Sequence, residues 1–345
     1  GTIKLDGNYP VGTGNVALGD TALDSVTTGT RLTAIGSNAL TAATSANYSV
    51  AVGSNALSSA TTATFNTAVG DYALQAATGG SNTGIGGAAL YSTTSGQYNT
   101  ALGHSALQSN TTATNNTAVG YQALYSNTTA SGNTAVGQSA GRAITTATEN
   151  AIVGSVAGDS LTTGSQNAVL GYGALGSATT GSANVAIGYR AALSANPSFS
   201  IAIGRDSLYN STGSNNIAIG YQSLNANTTA SNNTAVGYQS GYSNTTSTVT
   251  FCGYHAGYNN TTGVNMAAFG DEAGYANTTS SNSSYFGEYS GRNTTGERNT
   301  FYGQQSGWQV TTGSKNTILG RYNGNQGGLD IRTSSNNIVL SDGAG

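Results

Sequence analysis

The side chains able to do covalent or metal chemistry are few and far apart in this sequence. Its two histidines, His104 and His255, lie in distant stretches, and neither stands at a ligand spacing from another imidazole or thiol. Each reads as a surface variant of its surroundings. The single cysteine, Cys252, allows no internal disulfide. It occupies a position where similar stretches carry Val or Ile, so a buried structural thiol is expected rather than a nucleophile. Glycoside hydrolysis needs two carboxylates converging on one bond, and the acids are scattered, with Asp271-Glu272 the only adjacent pair. The glycines of "GTGN" and "GIGG" (Gly84 to Gly87) recur too regularly to form a dinucleotide fingerprint. No enzyme, cofactor or metal site is expected.

Residues that bind rather than react are more numerous. Tyr recurs in equivalent places at Tyr121, Tyr172, Tyr189, Tyr221, Tyr238 and Tyr254. A row of such rings could stack on sugars or simply on itself. "TT" pairs recur as well (Thr128-Thr129, Thr228-Thr229, Thr245-Thr246). Adjacent residues of an extended chain face opposite ways, so each pair presents one column of Thr and not the paired rows of an ice-binding plane. Late in the chain, Tyr242, Tyr258, Tyr275, Arg292 and Trp308 hold one shared position. These five are the candidate receptor-binding residues.

What positions them is a repeat. The Gly that ends phrases such as "NTAVG" falls at residues 19, 36, 53, 70, 86, 103, 120, 137, 154, 171, 188, 204, 220, 237, 253, 270, 287, 303 and 320, always 16 or 17 apart. Nineteen units of this kind indicate a solenoid, in which each unit buries its apolar face only by stacking on its neighbours. Short β-branched stretches ending in Gly, separated by Asn, Ser and Thr, predict short parallel strands and turns rather than helices. The fold class expected is all-β: a parallel β-solenoid of about 19 coils.

Within the unit 116–132, "NTAVGYQALYSNTTASG", Asn116 should join a side-chain ladder. Gly120 should occupy a turn of positive φ or close backbone approach. Val119 and Leu124 are assigned to the coil interior. The small residue before Val, Ala in twelve units and Gly84 in another, is then expected to face a neighbouring chain, where only a small side chain allows close approach; the alternative is a narrow coil with no room for anything larger.

The text divides the chain into an N-terminal cap or transition (1–14), regular repeats (15–236), aromatic-rich repeats (237–320) and a C-terminal cap or transition (321–345). In the aromatic-rich part the Leu column becomes Gly241, Gly257, Gly274, Gly291 and Gly307, while Phe251, Tyr285 and Phe301 enter the Ala column. Large residues at one core position are expected to compensate for those lost at the other.

Composition narrows the function. Gly occurs 50 times, charged residues make up 7%, and the net charge of −3 includes no basic run, so nucleic-acid binding is not expected. No apolar run approaches the roughly 18 residues of a membrane helix, and no membrane insertion is expected. The opening on Gly1 suggests a fragment or a processed product.

The phrases "NTAVG" (Asn133 to Gly137) and "NIAIG" (Asn216 to Gly220) resemble the head repeats of YadA-like trimeric autotransporter adhesins. That resemblance, over residues 11 to 320, implies a left-handed parallel β-roll and a homotrimer. The longer unit, with "GYQAL" and "SNTT", is similar to repeats of bacteriophage tail fibres. There, text like "NNIVLSDGAG" (Asn336 to Gly345) often precedes a self-cleaving intramolecular chaperone domain. The resemblance implies a virion tail fibre, extracellular, whose partners are two further copies, other virion tail proteins and a host cell-surface polysaccharide or protein. The alternative is a bacterial surface adhesin or extracellular filament of the trimeric autotransporter type.

Overall fold

The computed structural model describes residues 12–342. Among them there is no helix. The chain forms two compact units, the first ending at Thr180 and the second beginning at Gly181. Both are parallel β-solenoids, together about 19 turns. The first runs from strand Val16–Leu18 to strand Ala168–Leu170, each strand in register with the next, as Thr117, Ala118 and Val119 are with Thr134, Ala135 and Val136. The second runs from Val185–Ile187 to Thr317–Leu319 and then to Ile338–Leu340.

The strands of the solenoid ladder are three or four residues long, too short to hold a coil by themselves. What holds it is the turn chemistry. A Cβ on Gly120, at φ 132°, would stand 2.6 Å from the carbonyl carbon of Gly137 in the next coil, so only Gly fits the corner. Three other residues of each typical coil are left-handed without being Gly: Asn115 (φ 60°), Gln122 (φ 54°) and Leu124 (φ 51°). That conformation costs an L-residue roughly 1–2 kcal/mol. Here it turns each N–H towards an adjacent coil: Asn115 to Gln97, Gln122 to His104 and Leu124 to Ala140, at 3.0–3.2 Å. The repeated strain is balanced by repeated hydrogen bonds between coils.

Two Asn columns line the interior. Asn116 is fully buried; its Oδ1 accepts from the Asn133 N–H at 2.9 Å and its Nδ2 donates to the Ala130 carbonyl at 2.9 Å. The expected ladder is therefore present. A second column, unread in the sequence, includes Asn127, whose Nδ2 donates to Ala130 O at 2.9 Å and whose Oδ1 accepts from Ala130 N at 3.1 Å. The first Thr of many "TT" pairs donates its hydroxyl to the coil that follows, as Thr111 does to Thr128 O at 3.0 Å and Thr261 to Thr278 O at 2.8 Å.

One assignment is reversed. Ala118 is fully buried inside the coil with Ala123 and Leu124, whereas Val119 lies on the outer side of the strand. The same holds along the column: Leu102 is 46% exposed and Leu170 51%. In these three-residue strands the middle residue points inward, and the space opposite Leu124 is only wide enough for Ala. The Ala column is small because the coil is narrow. Cys252 shares the outer column and is exposed, not buried.

Compensation between columns does occur, but through the Ala column. Tyr285 packs where a Cβ on Gly274 would stand 2.8 Å from its Cδ2. Phe301 fills the place beside Gly307 in the same way. Phe269, Phe286 and Tyr302, which stand at the Val119 position that the sequence assigns to the interior, line the outer column instead, with Phe269 and Phe286 4.9 Å apart.

After Gly320 the spacing changes but the architecture continues. Asn337 Nδ2 donates to Asn316 Oδ1 at 2.8 Å across 21 residues, and the extra length is a small hairpin, Asn325–Gln326 with Leu329–Asp330. At the other end, Asn15 already belongs to the Asn ladder through the Leu32 N–H. Of the N-terminal cap assigned to 1–14, residues 1–11 lie outside the described residues, as do residues 343–345 of the terminal phrase.

Candidate functional site

A column of equivalent positions in five successive coils of the second unit carries Tyr242, Tyr258, Tyr275, Arg292 and Trp308. The structure brings the first four into one continuous stack. Tyr242 and Tyr258 lie 5.2 Å apart with planes 8° from parallel, and Tyr258 and Tyr275 lie 5.4 Å apart at 11°. The Arg292 guanidinium sits 5.2 Å over Tyr275 and 5.9 Å over Tyr289. Trp308 joins through Tyr289, at 6.1 Å.

A second stack runs alongside. Tyr221, Tyr238 and Tyr254 are spaced 5.1 and 5.4 Å with planes within 16°. Sequence reasoning missed the residue that links the two stacks. His255, read as a surface variant, lies 3.9 Å from Tyr254 and 4.8 Å from Tyr258. These three belong to one coil, and stacking the coils adds Tyr238 at 5.6 Å and Tyr275 at 5.9 Å around the imidazole. His104 has a simpler setting, stacked on Tyr121 at 5.8 Å.

Parallel stacking decides what these rings can do. Each such pair contributes about 0.5–1.5 kcal/mol beyond burial, and it does so by turning ring faces towards each other. The interior rings therefore present edges and phenol oxygens outward, with Tyr238 and Tyr254 both nearly half exposed. A ligand meets a row of hydroxyls one coil apart, and not a set of open faces.

Charge gathers where the rings end. Arg292 pairs with Glu272. Asp271 keeps one carboxylate oxygen buried without a hydrogen-bond partner. Burial first, then the neighbouring Glu272 and Glu288, raise its pKa. Asp271 also leads the groups that raise the Tyr289 phenol. Burial lowers the pKa of His255, against the pull of Glu272 and Asp271. A related arrangement stands earlier in the same unit, where Asp206 holds Arg190 at 2.8 Å and Arg205 at 3.3 Å and both guanidinium groups lie over Tyr189 at 5.3 Å.

Asp271-Glu272, the adjacent acids, thus belong to an aromatic and ion-paired surface. Among the described residues, no group of three His, Cys, Asp or Glu side chains is placed to hold a metal ion. No described helix is long and apolar enough to cross a membrane. Comparison with known protein families and with curated proteins finds no match to this chain.

Proposed function

We propose that this chain is a structural and receptor-binding fibre protein of a phage tail, extracellular and homotrimeric, and not an enzyme. The observation that carries the reading is the outward apolar column of each solenoid unit. Ile35, Ile85, Leu102, Val153 and Leu170 in the first unit and Tyr302 and Leu319 in the second are exposed in successive or nearby coils. A stripe of this kind is uncommon on a monomer's surface and marks an association face. Copies of the chain packed through it would bury what a thin coil cannot cover alone. The number three comes from the repeat's resemblance to trimeric β-rolls.

In this reading the solenoid holds its aromatic surface away from the particle, where it meets host polysaccharide or protein. Association multiplies weak contacts by raising their effective concentration. The same roll serves a bacterial surface adhesin or extracellular filament, and the phrase "NIAIG" (Asn216 to Gly220) favours that second reading equally. Neighbouring tail genes would separate the first from the second. Solution mass tests both: three chain masses are expected by light scattering, and a monomer at micromolar concentration would overturn the association.

A further inference from the structure

We propose that His255 is a proton-sensitive wedge between the two tyrosine stacks, packing them into one surface when neutral and loosening them when protonated. Its ring contacts reach both stacks: Tyr254 and Tyr238 at 3.9 and 5.6 Å on one side, Tyr258 and Tyr275 at 4.8 and 5.9 Å on the other. Its Nε2 lies 2.9 Å from Gln239 Oε1. Gln239 donates its own amide to Gln222 Oε1 at 2.8 Å, which fixes the amide orientation. Nε2–H therefore donates to Gln239, and Nδ1 is the atom left to take a proton from solvent.

The fold contains its own comparison. Arg190 stands in the same column as His255, with Tyr189 at 5.3 Å and Tyr209 at 5.0 Å, and it meets Asp206 of the next coil at 2.8 Å. A permanent cation in this position is thus held by rings and by a carboxylate one coil on. His255 has the rings, and Glu272 stands where Asp206 does, but Glu272 is paired with Arg292.

The groups facing His255 are the rings of Tyr238, Tyr254, Tyr258 and Tyr275, the Gln239 amide, and Asp271 and Glu272, with Arg292 beyond them. None of the acids bonds the imidazole directly in this arrangement. A second proton therefore places a charge among rings without the contact that holds Arg190. Burial accordingly keeps His255 neutral to a lower pH than a free imidazole.

The test is spectroscopic and needs no receptor, so its failure leaves the proposed function standing. The full chain is labelled with ¹³C-histidine, which gives two ring signals, and His104→Gln assigns them. From pH 8 to 4, His255 should titrate below the ordinary 6.5, and the near-UV circular dichroism of tyrosine should weaken with the same midpoint. His255→Phe keeps the ring contacts without the proton, so its near-UV signal should stay flat over that range. A wild-type tyrosine signal that is unchanged while His255 titrates would overturn the proposal. So would the same transition appearing in His255→Phe.

Discussion

Phe251 occupies the space that a side chain on Gly257 would need: a Cβ there would stand 2.6 Å from the Phe251 Cζ. It also reaches back to Gly241 in the preceding coil, where a Cβ would lie 3.0 Å from Cδ2. One ring thus replaces leucines of two coils. Ile152 does the same on a smaller scale between Gly141 and Gly158, with contacts of 3.2 and 3.1 Å.

This interchange can be measured. Phe251→Ala should destabilise the surrounding coils by about 3–5 kcal/mol, the usual range for an emptied aromatic site. Gly257→Leu alone should also destabilise, through overpacking. Combined, the two should recover much of the loss, because Gly257 at φ 60° has nearly the backbone that Leu124 adopts at φ 51°. The double-mutant cycle is read by local hydrogen exchange, since long repeat arrays need not unfold in one step. Simple additivity would refute the exchange of volume.

The Asn ladder predicts a graded series at position 116. Asn116→Ala strands the Asn133 N–H inside the coil and leaves the Ala130 carbonyl to the Asn127 amide alone, at a cost of about 1–3 kcal/mol for the unmet N–H. Asn116→Ser should be milder. Ser283 and Ser200 already stand in this column, and their Oγ atoms accept from Asn299 N at 3.0 Å and Asn216 N at 3.2 Å. Denaturant melts of the two variants should rank wild type, Ser, Ala.

Much of the architecture was legible because it repeats. The Gly120 corner, the Asn116 ladder and the parallel stacking each follow from a residue type that recurs every coil and has one physical use there. The facing of Val119 and Ala118 was not legible. Three residues alternate equally well in either phase, and the greater hydrophobicity of Val pointed the wrong way. What decides is the coil's width, set by left-handed residues such as Gln122 and Leu124 whose types do not advertise that conformation. The five aromatic-column residues were legible as a column, whereas His255 was not, since its role depends on Tyr238, Gln239 and Tyr275, 17, 16 and 20 residues away.

Tyr285 supplies a stability prediction with a definite sign. It is fully buried, its hydroxyl has no hydrogen-bond partner, and burial pushes its phenol from 10.0 up to about 12, against the polar side chains of Ser283, Asn299 and Asn277. A raised folded pKa means that the neutral phenol's contribution is complete below pH 10 and is lost as pH rises through about 12. Absorbance at alkaline pH should show Tyr285 among the last phenols to ionise, and its signal should disappear in Tyr285→Phe. That variant should be as stable as wild type or more so, by about 1 kcal/mol, because it removes an unmet buried hydroxyl. Phe251 and Phe301 already show that Phe fits the column.

The reversed assignment of Ala118 and Val119 separates folding from association. Ala118 is fully buried, so Ala118→Leu should overpack the coil and cost about 1–3 kcal/mol while leaving the solution mass of the surviving folded protein unchanged. Leu102, Val119 and Val136 lie on the outer face of three successive strands. Converting all three to Lys leaves the interior untouched, so the circular dichroism of the fold should persist. Three charges along the stripe of each copy would repel across a shared axis and face desolvation on contact, so the mass should fall towards that of a single chain. If the triple-Lys protein keeps the parent's mass, this stretch of the outer column does not carry the proposed association.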